Sequence, residues 1–327
     1  MKDNDIAVDN SIAANSAASA EMGPLASLLA PEYPEYQGSV ALAKEIFEAA
    51  PARTNIPIRR AFVRNGDGGS PAPLAEIVSR GGRGGAVAAK LYVALIWRCS
   101  AKPFNTSIAP RKWAALLGLS DPDRKGARRI TNALNLLEDL KLVKLTRSRG
   151  DSSLITLLDE SGDGSKYLPP SEASMIGGKE RDRYFKMPVT LWTDHRAYAQ
   201  RMSSGALVML FLLLDSGSGV PTTLAEGTEQ WWSVEIFQKW YAVSGPMRTR
   251  GTKELIEMGL LYVRKEAVPS YKGQGSFAKE RVRNVYRLQN AALIRSNKSL
   301  DRPDLPDATT FAEKIAQLPN SMRSRPS

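Results

Sequence analysis

One stretch constrains this chain more than any other: residues 244–263, SGPMRTRGTKELIEMGLLYV. Ser244 can cap a helix, and Pro246 suits a first turn, where backbone N–H groups have no intrahelical partner. Gly259 is placed to stop the helix, and residues 260–263 (LLYV) then read as a strand. At the helical period Met247, Gly251, Leu255 and Met258 share one face and can pack inward. Thr249 and Lys253 point the opposite way, with Arg250 beside them and Arg248 on the other flank. The expectation is a short helix buried on one side, polar and basic on the other, running directly into a strand.

The chain has 327 residues, more than one typical domain, and two domains plus tails are expected. Its net charge of +11 is unevenly placed. Residues 1–50 hold two Lys against eight acids, a net of −6, and the rest carries +17. A basic body with an acidic tail points to a polyanionic partner, most simply nucleic acid; the plain alternative is a basic protein without one. The single cysteine, Cys99, lies in the apolar run LYVALIWRC and reads as a core residue, so no intramolecular disulfide can form. The N-terminus, MKDNDIAVDN, is acidic and lacks the apolar region of a signal peptide, and the longest apolar run, 206–214, is too short to span a bilayer. A cytoplasmic protein with no membrane partner is expected.

Residues 1–50 read as an acidic, disordered tail, except that 39–50 (SVALAKEIFEAA) could form one amphipathic helix. Residues 51–85 carry Arg53, Arg59, Arg60, Arg64, Arg80 and Arg83 between NGDGGSPAP and RGGRGG. They read as an irregular connector, either a basic arm reaching for phosphates or a solvated linker. The first domain, 86–160, follows: a buried helix at 86–99, a short edge strand at 105–108, helices at 110–117 and 125–140, and a hairpin of 142–146 and 153–158. On the third helix Ile130, Leu134 and Leu137 face inward, while Arg128, Asn132 and Asn135 share the outer face, with Arg124 and Lys125 near its start. Arg and Asn side chains carry the paired donors and acceptors that suit guanine and adenine edges, although a solvated helix face also favours polar residues. Arg147 and Arg149 make the hairpin tip basic.

After a linker at 161–183, a second domain spans 184–290. Its apolar helix at 203–214 is followed by a short strand at 230–233, a helix at 234–240, the stretch 244–263 and a second basic hairpin. From Arg264 to Arg287 that hairpin holds seven Lys or Arg against two Glu, Lys272, Lys279, Arg281 and Arg283 among them, and phosphate contacts are expected there. LEDLKLVKL (137–145) overlays LIEMGLLYV (255–263) without a gap at an offset of 118, so the halves look like copies. The tail, 291–327, is polar, with a candidate helix at 307–318 presenting Phe311, Ile315 and Leu318.

Catalytic patterns are missing. With His195 as the lone histidine there is no HExxH and no metal-binding His pair, and there is no GxxxxGK[ST] loop. No zinc cluster can be built from one Cys. A non-enzymatic protein without cofactor or metal is expected.

RITNALNLLEDLKLVKLTR (129–147) and RTRGTKELIEMGLLYVRK (248–265) each resemble the recognition-helix-and-wing unit of bacterial winged-helix DNA-binding proteins. Two such units in one chain resemble the plasmid replication initiators built from paired winged-helix domains. The resemblance covers residues 86–290 and implies an α+β fold, mainly helical with small β-hairpin wings, as two tandem winged-helix domains. It implies sequence-specific binding to double-stranded DNA as a plasmid or phage initiator, with a homodimer and a replication-machinery protein as candidate partners. Arg128, Asn132, Arg248, Thr249, Arg250 and Lys253 would then meet bases or adjacent phosphates. A transcriptional regulator, or a winged-helix protein–protein module without specific DNA binding, is the alternative.

Overall fold

The computed structural model describes residues 33–49, 54–66, 69–169, 172, 183–217, 229–268, 281–289 and 293. Two helices, Gly85–Arg98 and Ser204–Ser216, are buried along almost their whole lengths, as expected for helices apolar on nearly every side. Around them the chain folds as α+β, mostly helical, with small antiparallel sheets.

In chain order, α1 (Gln37–Ala49) is followed by β1 (Asn55–Arg59), α2 (Arg60–Val63), α3 (Pro73–Gly81) and α4 (Gly85–Arg98). Then come β2 (Asn105–Thr106), α5 (Pro110–Leu116), α6 (Ala127–Asp139), β3 (Val143–Thr146) and β4 (Leu154–Leu157). The second half holds β5 (Tyr184–Pro188), α7 (Thr190–Thr193), α8 (Tyr198–Arg201), α9 (Ser204–Ser216), α10 (Val234–Tyr241), α11 (Gly245–Glu257), β6 (Leu261–Val268) and β7 (Arg281–Leu288). The sheet order is β2-β4-β3 in the first half, and β6 pairs with β7 in the second. Gln230 adds an antiparallel bridge to Tyr286 on β7, so each hairpin's second strand meets a short preceding strand or bridge. Helices α6 and α11 are both 13 residues long, and their last residues, Asp139 and Glu257, lie 118 positions apart, the offset of the repeat.

Residues 51–85 differ from the expected irregular arm. β1 pairs antiparallel with β5, Ile58 opposite Phe185, and joins the start of the chain to residues 184–188. The apolar Ile56, Ile58, Phe62, Leu74 and Ile77 are buried, which supplies the driving force for order. The Pro and Gly residues that suggested a connector instead begin and end helices: Pro73 opens α3, and Gly82 closes it at φ +47°. Three of the arginines here, Arg59, Arg60 and Arg64, are structural. Arg59 is buried with its Nε 3.2 Å from buried Glu160, and Arg60 Nε donates to Asp215 at 2.7 Å. Arg64 also donates to Asp215, and its guanidinium stacks 4.5 Å from the Trp240 ring centre. Burial pushes the Glu160 carboxyl up to about 8, against the opposing pull of Arg59. The start of the expected linker 161–183 is also packed, since Tyr167 is buried edge-on to Phe104 at 5.2 Å.

One cluster of buried residues runs from Ala43 to Leu293, and Met1–Arg295 form a single compact unit. The second unit, Ser296–Ser327, contains the candidate helix at 307–318 and lies outside the described residues. Within the second half, α9 crosses α11 at close quarters. Gly205 and Gly251 meet backbone to backbone, and a Cβ on Gly251 would sit 2.1 Å from the Gly205 carbonyl oxygen.

Candidate nucleic-acid interface

Helix α6 buries Ile130, Ala133, Leu134 and Leu137, the stripe expected from its period. Its entry is a turn of π-helix, Pro122–Gly126, opened by Asp121 in the left-handed conformation, whose carboxylate accepts from the Lys125 backbone N–H. Gly126 suits this tight packing, because a Cβ would lie 3.0 Å from both the Asp121 carbonyl oxygen and the Ala114 Cβ. The opposite face exposes Arg124, Lys125, Arg128, Arg129, Thr131, Asn132 and Asn135. Among the described residues no carboxylate pairs with Arg124, Lys125, Arg128 or Arg129. Arg147 is held differently: it donates to Glu138 at 2.8 Å and to Asn135 at 3.2 Å, tying the hairpin back to the helix. Arg149 is exposed at the hairpin tip.

Helix α11 buries Gly251 and Leu255, with Met247 and Met258 partly buried against the core. Its polar face is more occupied than that of α6. Arg248 stacks 4.3 Å from the Phe237 ring centre and donates to the Tyr286 hydroxyl at 3.0 Å. Those aromatic partners come from α10 and β7, which no local pattern around Arg248 reveals. Thr249 bonds back to the Gly245 carbonyl, Arg250 lies along its own helix against the Pro246 carbonyl, and Lys253 faces Glu257 at 3.9 Å.

The second hairpin is partly neutralised. Arg264 forms a two-pronged pair with Glu229 and holds that carboxyl below its usual range. Arg283 donates to Glu266 and stacks on Trp231 at 4.3 Å, while Arg287 stacks on Tyr262 at 5.2 Å. Arg281 begins β7, and Lys272 and Lys279 lie outside the described residues.

Beside β2 the structure adds cations that helix periodicity did not single out. An open cleft of roughly 540 Å³ is lined by Arg98, Lys112, Asn105, Ser107 and Ser152. Arg98 closes α4 and Lys112 stands in the first turn of α5, and both are exposed without a carboxylate partner among the described residues. The two basic helices also share a neighbour. Lys90 Nζ, buried in α4, donates to the Gln200 carbonyl at 2.6 Å. Burial pushes this ammonium down to about 7, against the pull of Glu254 on α11 and with the added push of Arg129 on α6. Both helices therefore lie within electrostatic reach of one buried lysine.

No protein-family model, curated protein or solved structure matches this chain. Among the described residues no helix is long and apolar enough to cross a membrane, and no three His, Cys, Asp or Glu side chains gather where a metal could bind. Cys99 is buried, which pushes its thiol up to about 12 and leaves it unreactive.

Proposed function

We propose that this chain is a non-enzymatic, sequence-specific binder of double-stranded DNA, built from two winged-helix units and led by the first. The observation that carries this is the outer face of α6: Arg128 and Asn132, one turn apart, are exposed beside Arg124, Lys125 and Arg129, and among the described residues no carboxylate is paired with these cations. A helix of this width enters a major groove, where Arg suits guanine and Asn suits adenine. Arg149, Lys112 and Arg98 supply phosphate contacts on the flanks. The order helix, strand, helix, helix, hairpin in 85–157 supports the winged-helix assignment, as does the matching order in the second half. The role of plasmid or phage replication initiator, with a homodimer and a replication-machinery partner, comes from the resemblance of 129–147 and 248–265 to that family.

Selection of bound fragments from random duplex DNA tests this directly. Enrichment of one repeated or palindromic site supports the proposal, and recovery of unrelated fragments contradicts it. A transcriptional regulator would enrich a site equally well, but only an initiator would let a DNA carrying its own gene region replicate autonomously. A protein-interaction role is favoured for the second winged-helix half, where Trp231, Val234, Ile236 and Val282 are exposed.

A further inference from the structure

The basic face of α6 has a candidate occupant within the chain itself. Residues 1–32 contain Asp3, Asp5, Asp9, Glu21 and Glu32 against a single Lys2. They join the described structure at Tyr33, whose ring lies 3.4 Å beneath the Arg201 guanidinium. Three residues on, the Tyr36 ring fills the space beside Gly118, where a Cβ would lie 2.6 Å from it. Gly118 opens the turn that leads through Arg124 and Lys125 into α6. The same Gly118 touches Gln200, whose carbonyl accepts from Lys90, the lysine acted on by both Arg129 and Glu254. The acidic segment therefore leaves the described structure close to the turn that leads into α6.

We propose that residues 1–32 lie across Arg124, Lys125, Arg128 and Arg129 as an internal polyanion, and that DNA must displace them to bind. The docking stands on charge and position; its regulatory consequence rests on the DNA proposal above. Reach is ample. Fully extended, these residues span on the order of 100 Å, whereas α6 is about 20 Å long. Single exposed ion pairs are weak, but a short tether holds the acids at an effective concentration of about millimolar, which favours occupancy at low salt. The competition shields the reading face from non-specific polyanions and leaves it open to a site that adds base contacts.

The test uses the full chain and a full-length variant with Asp3→Asn, Asp5→Asn, Asp9→Asn, Glu21→Gln and Glu32→Gln, all of which lie outside the described residues. Affinity for duplex DNA is measured by fluorescence anisotropy across a salt series. The variant should bind about three- to tenfold more tightly at low salt, with the ratio approaching one as salt rises. A zero-length carbodiimide should join a carboxylate of residues 1–32 to Lys125 in the unmodified chain, and duplex DNA should suppress that cross-link. Equal affinities for a duplex that both proteins bind would overturn the proposal. So would a gain in affinity without any Lys125 cross-link, which would mean general repulsion rather than docking. If the cross-link forms but neither protein binds duplex DNA, docking stands and the DNA proposal falls.

Discussion

Lys90 places an ionisable amine in the interior, and the consequence is a pH signature. Its ammonium is pushed down to about 7, while in the unfolded chain it titrates near ~10.4. Between these values the unfolded state holds a proton that the folded state lacks, so the Lys90 contribution to stability rises with pH across that window. Lys90→Met should remove this rise, read by urea unfolding at several pH values between 6 and 10. Its stability advantage over the parent should shrink by roughly a few kcal/mol as pH climbs. At the same scale, the outer face of α6 was legible because 128, 132 and 135 follow the helical period and the buried stripe confirms the phase. Arg248 was less legible. Its stacking partners Phe237 and Tyr286 are supplied by other elements, so a face drawn from the helix alone counts as free a side chain that is engaged. Arg98 and Lys112 were missed for a related reason: they converge on one cleft from the end of one helix and the start of another.

At the scale of elements, two contacts are open to direct test. Gly251→Ala puts a methyl group 2.1 Å from the Gly205 carbonyl oxygen, so α11 must shift off α9. The expected cost is about 3 kcal/mol in urea unfolding. Gly245→Ala, which meets nothing within 4 Å, should change stability by less than ~1 kcal/mol. Equal effects at the two positions would mean that the crossing is looser than described. Asp215 is the second test. It receives both Arg60 and Arg64, so Asp215→Ala removes the buried carboxylate that they share and should cost about 3 kcal/mol. That loss should appear as reduced protection of the backbone amides of β1 and α2 in hydrogen exchange. The helices and hairpins of residues 85–157 were legible from periodicity and turn residues. The elements of 55–81 were not, because β1 is ordered by pairing with β5, more than a hundred residues away, and its Pro and Gly residues mimic a linker.

For the whole molecule, an offset of 118 residues suggested two copies, and the residues of both halves lie in one compact unit with a continuous core. Sequence periodicity locates elements but carries no signal for a crossing that needs Gly205 and Gly251 together, nor for a strand borrowed from an apparent connector. The halves also differ in electrostatics. The cations of α6 are unpaired among the described residues, whereas Arg248, Arg264 and Arg283 in the second half have partners. DNA affinity should accordingly depend on the first half. Lys112→Ala should weaken binding to all duplexes alike and reduce the slope of log affinity against log salt by about one. The central claim is tested most directly by the affinity of Arg128→Ala for a selected duplex site and for a scrambled duplex of the same length. The account predicts that the preference for the selected site falls by about 1–3 kcal/mol while scrambled-duplex affinity changes much less. An unchanged preference would contradict it.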